Sequence, residues 1–307
     1  IGMPSYGRHL SGEWVGAWRG VFAFKNLFAY AMTMSSVLFL LATLNFRRWR
    51  WLNGALFCLS AGLLVMSKGK TAYTIFLILT SLLPFYPIIR QRFRSKAFLL
   101  FTSILLGSVT VMLLLANIEY IVVDLLGKNL EFNGRMPIWN LIAQKISMHP
   151  WFGYGYSAFW TSDESYSVLM NSWGRDRYTA GIRFNAHNGY LDLTLQVGLV
   201  GLALYAISLF TVFRKAIYLL FKTKELEFFW VCLALIALSL FNLADSIGIL
   251  GVAGSWTLYV SFSTAISLEY NRFRRGYYKT PAEESIPTPH EPDLVPSKPR
   301  IGSMLGS

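Results

Sequence analysis

Seven stretches of this chain are apolar over lengths that approach or exceed the roughly 18–20 residues an α-helix needs to cross a hydrocarbon core. They fall at residues 27–46, 52–66, 71–89, 97–118, 190–213, 226–243 and 247–268. None of the first four holds a charged side chain, in keeping with a cost of roughly 2.5–3.5 kcal/mol for centring a charge in a spanning helix. The second is short and contains Asn53 and Gly54. The composition agrees, with 54% hydrophobic and 14% charged residues and a mean hydropathy of +0.43. Soluble domains carry about 25% charged residues. The expected fold class is an all-α polytopic membrane protein of about seven spans.

Basic residues sit between the apolar runs in four clusters: Arg47, Arg48 and Arg50; Arg90, Arg92, Arg94 and Lys96; Arg214, Lys215, Lys222 and Lys224; Arg272, Arg274, Arg275 and Lys279. If the seven spans alternate, all four clusters share one side, which the positive-inside bias makes cytoplasmic. A net charge of +12 distributed this way has the spacing of topology signals, not of a nucleic-acid-binding face. Residues 1–26, 67–70 and 119–189 then face outward. An outward N-terminus without a secretory signal leads us to expect further spans upstream of Ile1. Residues 1–268 are expected to form one membrane domain that includes the loop 119–189. Residues 269–307 hold six prolines from Pro281 onward and are expected to be a disordered cytoplasmic tail. Cys58 and Cys232 lie far apart in apolar runs, so neither a disulfide nor a metal site is expected of them.

The loop 119–189 is too long for a simple connector. It is rich in aromatic residues, among them Trp139, Trp151, Phe152, Tyr154, Tyr156, Phe159, Trp160 and Trp173, so we expect it to fold. Residues 135–148 place Ile138, Trp139, Ile142 and Ile146 at helical spacing. His149-Pro150 ends that helix and Gly153-Tyr154-Gly155 makes a turn. Such a unit suits a sugar or lipid headgroup, or is simply a surface helix with a packed turn. Lys25, Lys68 and Lys70 at span mouths, with Arg135 and Arg183 in the loop, are cations kept on the side where the topology bias disfavours them. Singly each can snorkel; together they suggest an anionic ligand, such as a lipid-linked phosphate. At the end of the loop stands Ala186-His187-Asn188-Gly189-Tyr190-Leu191-Asp192. His187 can exchange protons near neutral pH, or be a histidine packed at a helix start. Asn188 is placed to cap the helix that follows. Asp192 suits the helix N-terminus, Asp245 is a cap or a site residue, and His149 is read as structural. No Asp-x-Asp pair, metal-ligand cluster, nucleotide loop or Ser/His/Asp pattern occurs, so no metal or other cofactor is expected.

Four stretches resemble the O-antigen ligase and polymerase-like (Wzy_C) membrane proteins, particularly their exopolysaccharide-polymerisation (ExoQ-type) branch. They are Trp18-Arg19-Gly20-Val21-Phe22 leading to Lys25-Asn26; Ser67-Lys68-Gly69-Lys70-Thr71-Ala72; Gly134-Arg135 with His149-Pro150-Trp151-Phe152-Gly153-Tyr154-Gly155 downstream; and His187-Asn188, followed after nine residues by Gly198 and then Gly201. The last is similar to that family's His-Asn-x9-Gly-x-x-Gly signature. The resemblance implies a glycosyltransferase of the bacterial inner membrane, working on its periplasmic face with undecaprenyl-diphosphate-linked oligosaccharide as donor and a glycan or lipid as acceptor. Polysaccharide-export or chain-length-control proteins are the expected protein partners. It implies catalysis by His187, as general base, and diphosphate binding by Arg135. Lys25, Lys70, Arg183 and Asn188 complete the expected substrate-binding set. Lys70 stands where many relatives carry arginine, which keeps the charge and loses a bidentate fork. Polymerase is the leading reading and ligase onto lipid A-core or protein the alternative. A flippase of lipid-linked glycan is the rival of another class. It would need paired broken helices and mid-membrane ionisable groups, which the sequence does not display.

Overall fold

A computed structural model of the chain describes residues 7–9, 15–90, 135–172, 174–175, 184–246 and 254–276. Among the described residues the regular elements are helices. They are α1 (Lys25–Asn45), α2 (Arg50–Met66), α3 (Lys70–Ser81), α4 (Phe85–Arg90), α5 (Arg135–Met148), α6 (Tyr166–Met170), α7 (Gly189–Thr223), α8 (Leu226–Ala244) and α9 (Gly254–Arg274). Four stretches are long and apolar enough to span a bilayer: Lys25–Asn45, Lys70–Arg90, Gly189–Thr223 and Leu226–Ala244. The chain is an all-α polytopic membrane protein. The expected span at 97–118, Arg183, residues 247–253 and, of the expected tail 269–307, residues 277–307 lie outside the described residues; the first six residues of that tail continue a helix. Cys58 and Cys232 are free.

Two elements run differently from the sequence expectation. The 71–89 run is two helices, α3 and α4, because Pro84 lies between them and a proline supplies no N–H to continue the ladder. The 190–213 run extends to Thr223, through Arg214, Lys215 and Lys222, which we read as loop. Two of these cations have partners in reach: Lys215 Nζ donates to Ser267 Oγ at 3.1 Å and lies over the Tyr270 ring. Lys222 lies over Tyr218. Lys224 then turns the chain in the left-handed region, φ 60°, and its N–H reaches Leu220 O. Helix α9 likewise runs past Leu268 to Arg274.

The membrane core joins α1, α3, α7, α8 and α9, with α8 at its centre. Val231, Cys232, Leu233, Ala234, Leu235, Ala237, Leu238 and Phe241 of α8 are all buried there. A second core lies in the loop unit, where Ile138 and Ile142 of α5 pack with Phe159, Val168, Leu169, Phe184 and Ala186. Leu195 of α7 belongs to this second core, so the loop unit is built onto the first part of α7.

Helix α7 is broken at Gly198, whose φ of 69° and ψ of −172° lie in a region essentially restricted to glycine. An unbroken helix would bond Leu199 N–H to Leu195 O and Val200 N–H to Gln196 O. Here the main chain of residues 150–155 takes those places. Leu199 N–H donates to Pro150 O at 2.7 Å and Val200 N–H to Trp151 O at 3.2 Å. Leu195 O accepts from Tyr154 N–H at 2.8 Å and Gln196 O from Gly155 N–H at 3.0 Å. The turn is spliced into the helix ladder, and only glycines allow the approach. A Cβ on Gly153, itself at φ 65°, would lie 2.5 Å from Leu195 O and 2.9 Å from Gly198 N. A Cβ on Gly198 would collide with the Trp151 carbonyl.

Gly198→Ala is expected to destabilise the protein by at least about 2 kcal/mol through backbone strain alone, with the collision adding to it. Gly62→Ala, in α2 with open space around it, is expected to be neutral or stabilising by about 0.5–1 kcal/mol. Thermal unfolding of both variants in detergent checks this; equal midpoints would refute the spliced-turn account.

Candidate functional site

The segment 184–188 reaches α7 through a tight turn held by its own side chains. Asn188 caps the helix: its Oδ1 accepts from Tyr190 N–H at 3.0 Å and Leu191 N–H at 3.2 Å. Asn188 is buried, so in this structure it builds the turn. Asn185 Oδ1 accepts from His187 N–H at 2.9 Å, and Trp139 Nε1 of α5 donates to Ala186 O at 2.9 Å. Between these fixed points His187 adopts φ 48°, a left-handed conformation costing a non-glycine residue about 1–3 kcal/mol.

The turn delivers the His187 ring to the end of α8. His187 Nδ1 lies 3.0 Å from Asp245 Oδ1, with both side chains part-buried. Asp245 is the C-cap residue of α8. Its Oδ2 accepts from Asn26 Nδ2 in the first turn of α1 at 2.6 Å, and its Oδ1 also accepts from Ser246 N–H at 2.9 Å. Burial by itself would raise the Asp245 pKa. The hydrogen bond and charge of His187, the Asn26 bond and the Arg135 charge outweigh it and hold the carboxyl below its ordinary value. A carboxylate accepts only, so the bonded Nδ1 carries the proton. In the neutral ring Nε2 then holds the basic lone pair.

Arg135, the first residue of α5, arrives at the same place. Its Nη1 donates to Ala244 O, next to Asp245. Burial lowers its pKa and the Asp245 charge pushes it back. The structure therefore gathers Arg135, His187, Asp245 and Asn26 from α5, the 184–188 turn, the end of α8 and the start of α1. Lys25 precedes Asn26 in that first turn. Lys70 opens α3 and is exposed. The turn before it packs on α1: a Cβ on Gly69 would lie 2.9 Å from Ala29 Cβ, one turn from Asn26. Lys68 Nζ donates to Val15 O at 3.4 Å.

The loop aromatics divide into two groups. Tyr154, Phe159, Trp160 and Phe184 form a chain of tilted and edge-to-face ring contacts with centroids 4.9–5.2 Å apart, and Phe184 meets the His187 ring edge-on at 6.0 Å. These rings support the site from behind. Among the described loop residues, the aromatics Trp151, Phe152, Tyr156 and Tyr166 are exposed.

The sequence leaves Asp245 open between a cap and a site residue and outside the expected substrate-binding set, although it carries a further signal for that aspartate. A carboxylate at a helix C-terminus faces the negative end of the dipole, so an aspartate there calls for cationic partners. Asn26 was visible only as part of a motif. Among the described residues, no group of three or more His, Cys, Asp and Glu side chains is placed to hold a metal ion.

Residues 54–206, just under half of the chain, match the sequence profile of the O-Antigen ligase family, Wzy_C, and over that span the chain is similar to that family. Among curated proteins it is similar to the exopolysaccharide production protein ExoQ of Rhizobium meliloti, with 25% identity over 118 residues. That match covers 38% of this chain and 27% of ExoQ. It is also similar to a candidate polysaccharide ligase of Rickettsia felis, with 31% identity over 71 residues covering 23% of this chain and 17% of the relative. The matched segments thus span about a quarter or less of those relatives.

Because the Asp245 carboxyl is held below its unfolded pKa, the stability it contributes is complete above that unfolded value, about pH 4, and is lost as pH falls through the lower folded value. Asp245→Asn is therefore expected to melt below wild type at pH 5–7, with the gap closing in stronger acid. A gap unchanged down to pH 2 would count against the charge-assisted pairing.

Proposed function

We propose that the chain is the catalytic part of an inner-membrane glycosyltransferase that polymerises polysaccharide repeat units from an undecaprenyl-diphosphate donor on the periplasmic face. The observation that carries this reading is the His187–Asp245 pair at 3.0 Å with the Arg135 guanidinium beside it. His187 Nε2 takes the proton of an acceptor hydroxyl, and Asp245 steadies the imidazolium that forms, a contribution of about 10²–10⁴ in rate. The acceptor oxygen attacks the anomeric carbon and the bond to the diphosphate breaks. The electron pair leaves with the lipid diphosphate, and the anomeric configuration inverts. Arg135, with Lys25 and Lys70 from the neighbouring span mouths and Arg183 from the loop, supplies the counter-charge to the leaving group. In this reading no metal is required. Residues 119–189 serve as the periplasmic catalytic loop.

Similarity to ExoQ favours polymerase; the family description and the Rickettsia felis relative favour a ligase that delivers glycan to lipid A-core or protein. Incubating the protein with lipid-linked repeat units separates them: longer lipid-linked chains mean polymerase, and glycan on a separate acceptor means ligase. The flippase reading gains little from the break in α7, because the freed backbone groups at Gly198 bond to the loop and do not line a path.

His187→Ala is expected to abolish transfer while donor binding persists; a fully active variant would remove the base. Arg135→Ala is expected to weaken donor binding more than Arg135→Lys in a lipid-diphosphate binding assay. Wild-type behaviour of both would remove the phosphate role.

A further inference from the structure

A second carboxylate, outside the chemistry above, lies behind the His187–Asp245 pair. Asp192, in the first turn of α7, is buried and is bonded on every side described. Its Oδ1 accepts from Trp160 Nε1 at 2.7 Å. Its carboxylate straddles Ala186 N–H, at 3.1 Å to Oδ1 and 3.0 Å to Oδ2. Ser246 Oγ donates to Oδ2. The same Ser246 hydroxyl accepts from Asn188 N–H at 3.1 Å. The residues on either side of His187 are thus both tied to the Asp192–Ser246 pair, one directly and one through the hydroxyl. Ser246 in turn is covalently next to Asp245, and its own N–H is bonded to Asp245 Oδ1.

We propose that Asp192 is a positioning residue which, through Ser246, clamps the strained His187 turn onto the Asp245 loop and so sets the ring on its carboxylate partner. The proposal rests on His187 acting as the base. Its physical content is that a left-handed histidine persists only where its surroundings over-determine it. The flanking peptides at 186 and 188 are where that restraint must act. Asp192 also joins three separate parts of the fold: the aromatic turn through Trp160, the histidine turn through Ala186, and the α8 end through Ser246. An asparagine at 192 has one acceptor oxygen in place of two, so it cannot receive the full set of donors.

Steady-state transfer with lipid-diphosphate-linked repeat units, on the full chain in nanodiscs, tests this. Asp192→Asn and Ser246→Ala are each expected to lower kcat by about 10²-fold, the scale of a misplacement near 1 Å, with the donor KM held within about 2-fold. Ser246→Thr, which keeps the hydroxyl, is expected to restore kcat to within a few fold of wild type. Wild-type kcat in Asp192→Asn would overturn the clamp. So would Ser246→Thr failing as badly as Ser246→Ala, with kcat, KM and melting point all falling together, since that marks packing alone. If Asp192→Asn does not fold, the Ser246 pair decides. The two ideas fail separately: an active His187→Ala removes the base, whereas an inactive His187→Ala beside an unimpaired Asp192→Asn removes only the clamp.

Discussion

The break in α7 is the constraint on which the rest of this structure depends. A main-chain N–H or C=O left unpaired in an apolar setting costs about 1–3 kcal/mol, and a membrane offers no water to relieve it. Opening α7 at Gly198 exposes four such groups at once, and the 150–155 turn satisfies all four. Neither half is tenable without the other: the helix needs the turn's peptides, and the turn needs the helix's. The loop unit is thereby locked to the membrane bundle through backbone bonds, which no substitution other than proline directly removes. That lock fixes the half-helix whose N-terminus carries Asn188 and His187.

Given that frame, the electrostatics of the site follow. Asp245 sits at the negative end of α8 and partly out of water, two conditions that oppose its charge. What holds it ionised is a converging set: the His187 ring, the Asn26 amide and the charge of Arg135. Each of these comes from a different part of the fold, so the carboxylate also serves as the point at which α1, α5, the turn leading into α7 and the end of α8 meet. Arg135 shows the complementary behaviour, destabilised by burial and sustained by the same carboxylate.

Four of the expected spans, at Lys25–Asn45, Lys70–Arg90, Gly189–Thr223 and Leu226–Ala244, were legible because uninterrupted apolar runs of bilayer length have few other interpretations. Their ends were less so. Arg214 and Lys215 read as loop, since nothing local shows that Ser267 and Tyr270 will stand beside Lys215. The break was illegible for a similar reason. A glycine within an apolar run usually continues a helix, and the segment that fills this break lies more than forty residues upstream. His187 and Arg135 stood out as chemistry-bearing residues, but Asp245, 58 residues from His187, could be joined to them only by the fold. The signature His-Asn-x9-Gly-x-x-Gly now divides into physical parts. Asn188 caps a half-helix of nine residues, 189–197, Gly198 ends it, and Gly201 leaves room for the Val197 side chain.

The position of strain in this molecule bears on its chemistry. His187 is held left-handed at some cost, in a turn whose neighbours at 185, 186 and 188 are all bonded. A relaxed histidine at a helix start would let its ring follow solvent or the lipid surface. Here the restraints come from buried groups, so the ring keeps one orientation in which Nδ1 is occupied by Asp245 and Nε2 carries the basic lone pair. An imidazole meant only to pack would gain nothing from a partly buried carboxylate whose charge also calls on Asn26 and Arg135. The expense makes physical sense where a proton must arrive on that ring and be stabilised there, which is the demand that the glycosyl transfer proposed above would impose.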